Sequence, residues 1–255
     1  MSPRRSLAAR RCLLVLGLAA GTAGVAAAAP ARWSYFGATG PDRWPALSNA
    51  YAICGNGQRQ SPIDLADAAD RDIANPQTTY QPGGATVVDD GHTVEVDLDG
   101  TNILTLDGVP YRLVELHFHS PSEHTINGNT FAVEVHLVHQ GDNGAVAVIA
   151  VFIAGGSENP ALAPILSVLP SKENREARLR EPFDPSSLLP DDRRAFRYTG
   201  SLTTPPCTEG VNWVVMASPI SASGQQIAAL ARALDGNTRP VQARGDRELL
   251  LDTSP

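Results

Sequence analysis

Short runs in which apolar and polar residues alternate recur along the chain, and Gly, Pro, Asn and Asp separate them. Alternation with a period of two residues is typical of β-strands that bury one face. The run from Ala145 to Ile153 is instead continuously apolar, which indicates a strand covered on both faces. The predicted strands lie at 85–88, 93–98, 102–106, 111–118, 131–138, 145–153 and 212–216.

Helical periodicity is less common than strand alternation in this sequence. Between Gln225 and Leu234 the apolar residues form one stripe, and Gly236 follows as a stop signal. A shorter helix is predicted from Ala161 to Leu169. The pattern therefore predicts a mainly β (α+β) fold, a single domain on a large, mostly antiparallel twisted β-sheet with small peripheral helices.

The first 29 residues differ from the rest of the chain. They contain four arginines and no acidic residue, then an apolar run from Cys12 to about Ala20 and a small-residue tail. This order is typical of a cleavable export signal peptide, and the apolar run is shorter than the roughly 20 residues of a membrane span. The pair Arg10-Arg11 leaves both the Sec and the twin-arginine routes open. We expect cleavage near Ala28 or Ala29 and a periplasmic or secreted domain over 30–255, without stable membrane insertion.

Removal of the leader changes both charge and cysteine content. The net charge falls from −7 to about −11, which argues against nucleic acid or anionic membrane surfaces as partners. Two cysteines remain, Cys54 and Cys207, in a compartment where disulfides persist. We therefore predict a Cys54–Cys207 disulfide, the alternative being two unrelated buried thiols.

Four of the six histidines lie in two of the apolar runs. Because side chains alternate faces along a strand, His117 and His119 share one face of the first run. His136 shares a face with Glu134 and Val138 in the second run. The turn signal Asn127-Gly128-Asn129 lies between the runs and favours antiparallel pairing.

Paired in this way, three imidazoles converge on one point, as a Zn²⁺ site with three nitrogen ligands requires. Hydrogen-bonded core histidines are the alternative for each residue taken alone. His139 has the wrong parity and His124 lies beyond a turn, so we interpret both as structural.

Five short motifs follow one another along the chain: Leu116-His-Phe-His119, Glu134-Val-His136, Ser201-Leu-Thr-Thr-Pro-Pro206, Arg59-Gln-Ser-Pro-Ile-Asp64 and Asn237-Thr-Arg-Pro-Val-Gln242. Together they resemble the alpha-class carbonic anhydrases of the bacterial exported type, over a stretch from about Trp33 to Arg247. The resemblance implies a zinc enzyme, a monomer or homodimer, that hydrates carbon dioxide reversibly to bicarbonate and a proton by metal-bound hydroxide.

The same resemblance implies a role for each matching residue. The zinc ligands are His117, His119 and His136, with Glu115 and Glu134 accepting the outward ring N–H groups of His117 and His136. The catalytic set is Thr203 with its partner Glu123, the proton shuttle His92, and Tyr35, which helps to order the water chain. The substrate contacts are Thr204, for bicarbonate, and the apolar wall Val138, Val148, Leu202, Val211 and Trp213, for carbon dioxide.

One position departs from the family pattern. The family commonly places Gln where this chain has Glu115, so we expect an extra negative charge to make the zinc-bound water less acidic.

Two rival interpretations remain open at this stage. The spacing His117-x-His119-x₃-Glu123 also looks like the first metal motif of cupins, which implies an iron or manganese oxidoreductase with Glu123 as a ligand. The framing glycines of that motif are missing. The second rival is a zinc-storage or surface-binding protein without catalysis.

Overall fold

The computed structural model describes residues 31–169 and 175–254. The predicted export signal, at 1–29, lies outside the described residues. The helices are α1 Trp44–Leu47, α2 Ile53–Asn56, α3 Leu162–Leu166 and α4 Gly224–Leu234, with 3-10 turns at Gly37–Thr39, Pro41–Arg43, Asn49–Tyr51 and Pro185–Leu188. The strands are β1 Ala69–Arg71, β2 Gln77–Thr79, β3 Ala85–Asp89, β4 Val94–Leu98, β5 Ile103–Leu106, β6 Val109–His119, β7 Val133–Gln140, β8 Val146–Gly155, β9 Arg175–Arg178, β10 Ala195–Ser201, β11 Glu209–Met216, β12 Ile220–Ala222 and β13 Leu250–Asp252.

These strands form one large twisted open sheet. Its order along the main path is β1-β13-β10-β11-β8-β7-β6-β4-β3-β9, while β12 pairs with β8, and β5 joins β2 to β6. Most pairs are antiparallel, and parallel pairs join β8 to β11 and β12 and β1 to β13. The predicted fold class is therefore confirmed.

The two faces of the central strands carry separate cores. Phe118 of β6 and Val135 of β7 belong to the larger core, on the face opposite to His117 and His136. Strand β8 contributes to both cores, as its continuous apolar run predicts, because alternate residues such as Ile149 point to the larger one and their neighbours to the smaller.

Helix α4 agrees with the prediction to within one residue. It begins after Ser223, whose side chain accepts a hydrogen bond from the backbone N–H of Gln226 in a capping box. Leu230 and Leu234 of this helix pack on the larger core. The predicted helix over 161–169 is shorter, because α3 ends at Leu166.

Several strands carried too little pattern to be predicted. Strands β1 and β9 are three and four residues long and almost fully exposed, so their side chains show no apolar alternation. Strand β10 is buried on both faces and follows a charged segment, and it leads directly into the Thr203 loop.

Candidate metal centre

The three histidines of the predicted zinc site meet at the antiparallel pair β6–β7. His117 lies directly opposite His136, and His119 lies two residues further along β6 on the same face. Their ring centroids are 4.6–5.1 Å apart, and one ligand atom from each ring lies within 4.8 Å of the other two. These three residues could therefore hold one metal ion.

Hydrogen bonds assign the tautomer of each ring. The Nδ1 atom of His119 is 2.7 Å from the carbonyl oxygen of Asn237, which can only accept, so Nδ1 carries the proton. Carboxylates fix the outward N–H of the other two rings: Glu115 lies 2.9 Å from Nδ1 of His117, and Glu134 lies 2.8 Å from Nε2 of His136. The remaining nitrogens, Nε2 of His117 and His119 and Nδ1 of His136, keep their lone pairs for a shared ligand.

A buried ring nitrogen without a hydrogen-bond partner indicates that a metal ion fits this site. The Nε2 atom of His119 is buried and has no hydrogen-bond partner among the described residues. Burial, together with the neighbouring imidazoles, lowers the pKa of His119 well below its usual value, so the ring is neutral with a free lone pair. A buried lone pair without a donor is costly, and a cation bound by three neutral imidazoles removes that cost.

Glu134 supports His136 from behind and also binds a residue that sequence reasoning left outside the site. Its Oε1 accepts from Nε2 of His136 and, at 2.7 Å, from Nδ1 of His124. Its Oε2 accepts the backbone N–H groups of Glu123 and His124. Although burial raises the pKa of Glu134, the two histidines outweigh it and hold the pKa well below its usual value.

The chain of hydrogen bonds continues beyond His124. Its Nε2 accepts from the Tyr198 hydroxyl at 2.6 Å, and Ser61 completes the chain 2.8 Å from the same hydroxyl. His124, Glu134 and His136 also form a second three-residue group of metal-ligand type. Protons already bridge these atoms, so this group orients His136 and does not compete for the ion. His124 is structural as interpreted, but sequence spacing did not reveal its contact with Glu134.

Glu115 and a neighbouring carboxylate make one wall of the site acidic. Glu95 of β4 lies opposite His117 in the β4–β6 pair, and Asp97 lies opposite Glu115. Burial and the charges of Glu115 and Asp97 raise the pKa of Glu95 to about 7. Burial lowers the pKa of His117, but the Glu115 carboxylate outweighs burial and raises it above the usual value.

Glu123 and Thr203 meet although eighty residues separate them. The Glu123 Oε1 atom accepts the backbone N–H of Arg239 at 2.9 Å, while its Oε2 lies 3.6 Å from Nε2 of His119. Burial raises the pKa of Glu123 to about 8, and the Arg239 N–H and the Thr203 hydroxyl oppose this rise. The Oε2 atom of Glu123 is buried and has no hydrogen-bond partner among the described residues.

The Thr203 loop is fastened on both sides. Cys207 forms the predicted disulfide with Cys54, 153 residues earlier. Ser201 donates its backbone N–H to Ser61 and accepts the Ser61 backbone N–H at its hydroxyl. The buried Arg239 guanidinium donates to the carbonyls of Cys54 and Ser61, so the segment that follows Cys54 is joined to the loop whose Arg239 N–H donates to Glu123.

His92 and Tyr35 lie in an aromatic cluster. The His92 ring stacks on Trp33, with centroids 3.8 Å apart and planes 7° apart. Tyr35 contacts the edges of Trp33 and Trp44. Burial, with a smaller effect from the charges of Glu123 and Asp90, raises the pKa of Tyr35 well above its usual value.

The predicted apolar wall forms one cluster beside the histidines. Val148, Val211 and Trp213 are buried in the smaller core, and Val138 and Leu202 pack against it. The Trp213 ring centroid lies 5.0 Å from that of His136, so the wall borders the site directly. Thr204 lies in the loop, where its carbonyl accepts the Cys207 N–H. The structure thus brings the three histidines together with the apolar wall, while His92 and Tyr35 lie in the aromatic cluster and Thr204 lies in the Thr203 loop.

The fold and this site define a β-sheet protein that can hold a metal ion through three histidines. The family model of the eukaryotic-type carbonic anhydrases matches residues 39–252. A carbonic anhydrase of Klebsiella pneumoniae is 39% identical over 221 residues, which cover 86% of this chain and 90% of that protein.

Comparison with solved structures leads to the same family. An alpha-carbonic anhydrase from Thermovibrio ammonificans, in complex with the inhibitor sulfanilamide, aligns with a TM-score of 0.85 and 39% identity over 87% of this chain and all of that one. Dioscorin complexed with ascorbate aligns with a TM-score of 0.82 and 33% identity over 88% of this chain and 99% of that one.

The chain therefore belongs to the alpha-class carbonic anhydrase family and is an enzyme, a carbonate dehydratase. The cupin interpretation is wrong, because the strands form a single open sheet rather than the double-sheet jelly roll of cupins. No helix among the described residues is both long and apolar enough to cross a membrane.

Proposed function

We propose that this protein is a zinc-dependent carbonic anhydrase that hydrates carbon dioxide to bicarbonate and a proton. The observation that carries the proposal is the convergence of three imidazole lone pairs, with tautomers fixed by Glu115, Asn237 and Glu134, against an apolar wall. Structural zinc sites are closed by four protein ligands, whereas a site with three protein ligands leaves the fourth coordination position open to a reacting molecule.

His117, His119 and His136 would hold the metal. A zinc ion bound there acts as a Lewis acid that makes water more acidic, and its charge favours the ionised form of Glu123.

Thr203 and Glu123 would orient the attacking oxygen. Ionised Glu123 can only accept, so the Thr203 hydroxyl donates its proton to that carboxylate. The threonine oxygen must then accept from the attacking hydroxide, which directs a lone pair of the hydroxide toward the substrate. The Arg239 N–H at 2.9 Å holds the carboxylate in place.

The apolar wall would receive carbon dioxide. Val138 and Val148 are paired across β7 and β8, and Trp213 pairs with Val148 from β11, so three neighbouring strands present one apolar surface beside His136. A linear molecule without a net dipole gains from contact with such a surface and displaces water from it. Thr204 would contact the bicarbonate product.

His92 would carry the proton to solvent, and Tyr35 would help to order the water path. Imidazole is the side chain whose charge changes near neutral pH, and His92 is half-buried in the turn before β4. Its stacking on Trp33 gives the ring a defined position outside the metal site.

The protein would act outside the cytoplasm, after export. Cleavage of 1–29 would release the domain of 30–255 into the periplasm or the medium, where the Cys54–Cys207 disulfide is stable. Its substrates would be small molecules, carbon dioxide and bicarbonate. We also extend to this chain the sulfanilamide binding named for the Thermovibrio ammonificans relative.

The test is stopped-flow carbon dioxide hydration by the mature protein, with zinc content measured in the same samples. Wild type should hold one zinc per chain and lose activity on chelation, and His117→Ala should lose both zinc and activity. His139→Gln is the matched control, since this β7 histidine faces the larger core. Activity without zinc, or zinc without activity in the wild type, would reject the proposal, and the second result would favour the non-catalytic rival.

A further inference from the structure

A second polar cavity lies at the edge of the sheet where β13 leaves β10. It measures about 430 Å³, within the range of small-molecule sites. Strand β13 pairs with β10 only at Phe196 and Arg197, so the edge of β10 at Tyr198 and Thr199 is open to the cavity. Arg197 and Arg247 form part of its lining, and neither belongs to the proposed catalytic set.

Arg247 is a buried cation without an ion-pair partner. It is 7% exposed, its guanidinium lies over the Tyr198 ring at 5.6 Å, and no carboxylate of the described residues lies within 4.0 Å of it. Its Nε and Nη2 donate to the carbonyls of Arg244 and Ala243, but Nη1 has only a long contact of 3.4 Å, to the carbonyl of Thr199. One guanidinium nitrogen of this cation is thus poorly satisfied.

Arg197 is also incompletely paired. Its side chain is 13% exposed, and its Nη2 donates to Asp107 at 3.2 Å, a carboxylate whose own side chain is 69% exposed. Its Nη1 is buried and has no hydrogen-bond partner among the described residues. A buried charged donor without a partner is rare and costly in native structures.

The acidic residues of the cavity lie at its mouth. Asp107, Asp246 and Glu248 are all exposed, where solvent and salt screen their charges. Arg197 and Arg247 form the less exposed part, where charge is screened less, whereas Arg59 is exposed like the acidic residues. This arrangement attracts one negative charge to the interior while the acidic mouth disfavours multivalent anions.

The geometry points to a binding site for a small monovalent oxyanion, a carboxylate or bicarbonate, held by Arg197 and Arg247. A planar oxyanion matches the fork of a guanidinium and can accept from two N–H groups at once. Because Nη1 of Arg197 is buried, binding through this atom requires the guanidinium to turn toward the cavity. The site is separate from the metal centre, but Tyr198 belongs to both the cavity lining and the hydrogen-bond chain that ends at His136.

The test is calorimetric titration of the zinc-loaded protein with formate, acetate or bicarbonate, with sulfanilamide in excess so that no anion binds at the metal. Wild type should show saturable binding, and Arg197→Gln should weaken it at least about fivefold. Asp107→Asn should tighten anion binding, because the Arg197 guanidinium then has no competing carboxylate. Asparagine also tolerates the positive φ of this turn residue, so the turn should be kept. A gain in affinity cannot come from misfolding. Arg232→Gln, which removes an exposed charge on α4, should have no effect.

Each result of the titration has a different meaning. If formate or acetate saturates the site at a lower concentration than bicarbonate, the ligand is a free carboxylate. If bicarbonate saturates it at the lower concentration, the ligand is the reaction product. Absence of saturation up to about 100 mM, well above the millimolar range of weak small-anion sites, would mean that water alone fills the cavity. That result, unchanged affinity in Arg197→Gln, or sulfate binding more tightly than acetate would overturn the inference. None of these results bears on the proposed hydration activity, since the catalytic site is blocked throughout.

Discussion

His124 and His136 donate to the same oxygen atom, Oε1 of Glu134, from 2.7 and 2.8 Å. One carboxylate oxygen therefore sets the tautomers of a metal ligand and of a buried histidine behind it. The arrangement requires a full negative charge on Glu134, because both histidines act as donors toward it.

Glu134→Gln should therefore weaken zinc binding by about 10- to 100-fold, the range for loss of a carboxylate that supports a ligand histidine. The glutamine amide carries no negative charge and has a single acceptor oxygen, whereas four N–H groups donate to the Glu134 carboxylate. Competition with a fluorescent zinc chelator measures the affinity directly. Glu176→Gln, an exposed carboxylate on β9, is the matched control. Equal zinc affinities in the two variants would show that Glu134 does not support His136.

Thr203→Val should lower kcat/KM for hydration by about 10²-fold while zinc remains bound, because the hydroxyl that aims the attacking oxygen is lost. Valine has the same shape, so the buried loop should keep its packing. Thr203→Ser keeps the hydroxyl and should retain most of the activity. A Ser variant as impaired as the Val variant would point to packing rather than to the hydroxyl.

Glu115→Gln should move the midpoint of the pH–activity profile to lower pH. The substitution removes a negative charge 2.9 Å from Nδ1 of His117, and that charge favours the protonated state of the site. The shift is expected to be at most about one pH unit, and the profile of Glu176→Gln should match the wild type. A midpoint that stays in place or rises would disprove the role given to Glu115.

His92→Ala should reduce kcat about tenfold or more in dilute buffer and leave kcat/KM nearly unchanged, because proton export limits only turnover. Added imidazole should restore the rate. Full turnover in dilute buffer without imidazole would exclude His92 as the shuttle.

Stability should fall between pH 6.5 and pH 4, in part because of His139. Burial lowers the pKa of His139 to about 4, while the unfolded chain has the ordinary value near 6.5. Below pH 6.5 the unfolded state binds a proton that the folded state does not, so the free energy of unfolding decreases as pH falls. The contribution of this residue between pH 7.5 and 5 is about 2 kcal/mol.

His139→Gln should therefore flatten the pH dependence of the unfolding free energy by about that amount, as measured by urea unfolding at the two pH values. Arg232→Gln should keep the wild-type slope. A variant with an unchanged slope would mean that His139 is protonated in the folded protein despite its burial against Tyr80.

The sequence by itself determined the features that depend on local periodicity and on motif series. Two-residue alternation placed His117 and His119 on one face of β6, and the continuous apolar run identified β8 as a strand buried on both sides. The order of the motifs indicated the family, and cysteine counting identified the disulfide.

Only the tertiary structure decided which distant groups meet. The carbonyl of Asn237 fixes the tautomer of His119, and His124 joins Glu134 to Tyr198, although these partners are far apart in sequence or separated by a turn. The cavity of Arg197 and Arg247 likewise exists only because β13 leaves the edge of β10. Alternation sets the face of a strand on which a side chain lies, but long-range packing sets its neighbours, and hydrogen bonds and electrostatic interactions depend on those neighbours.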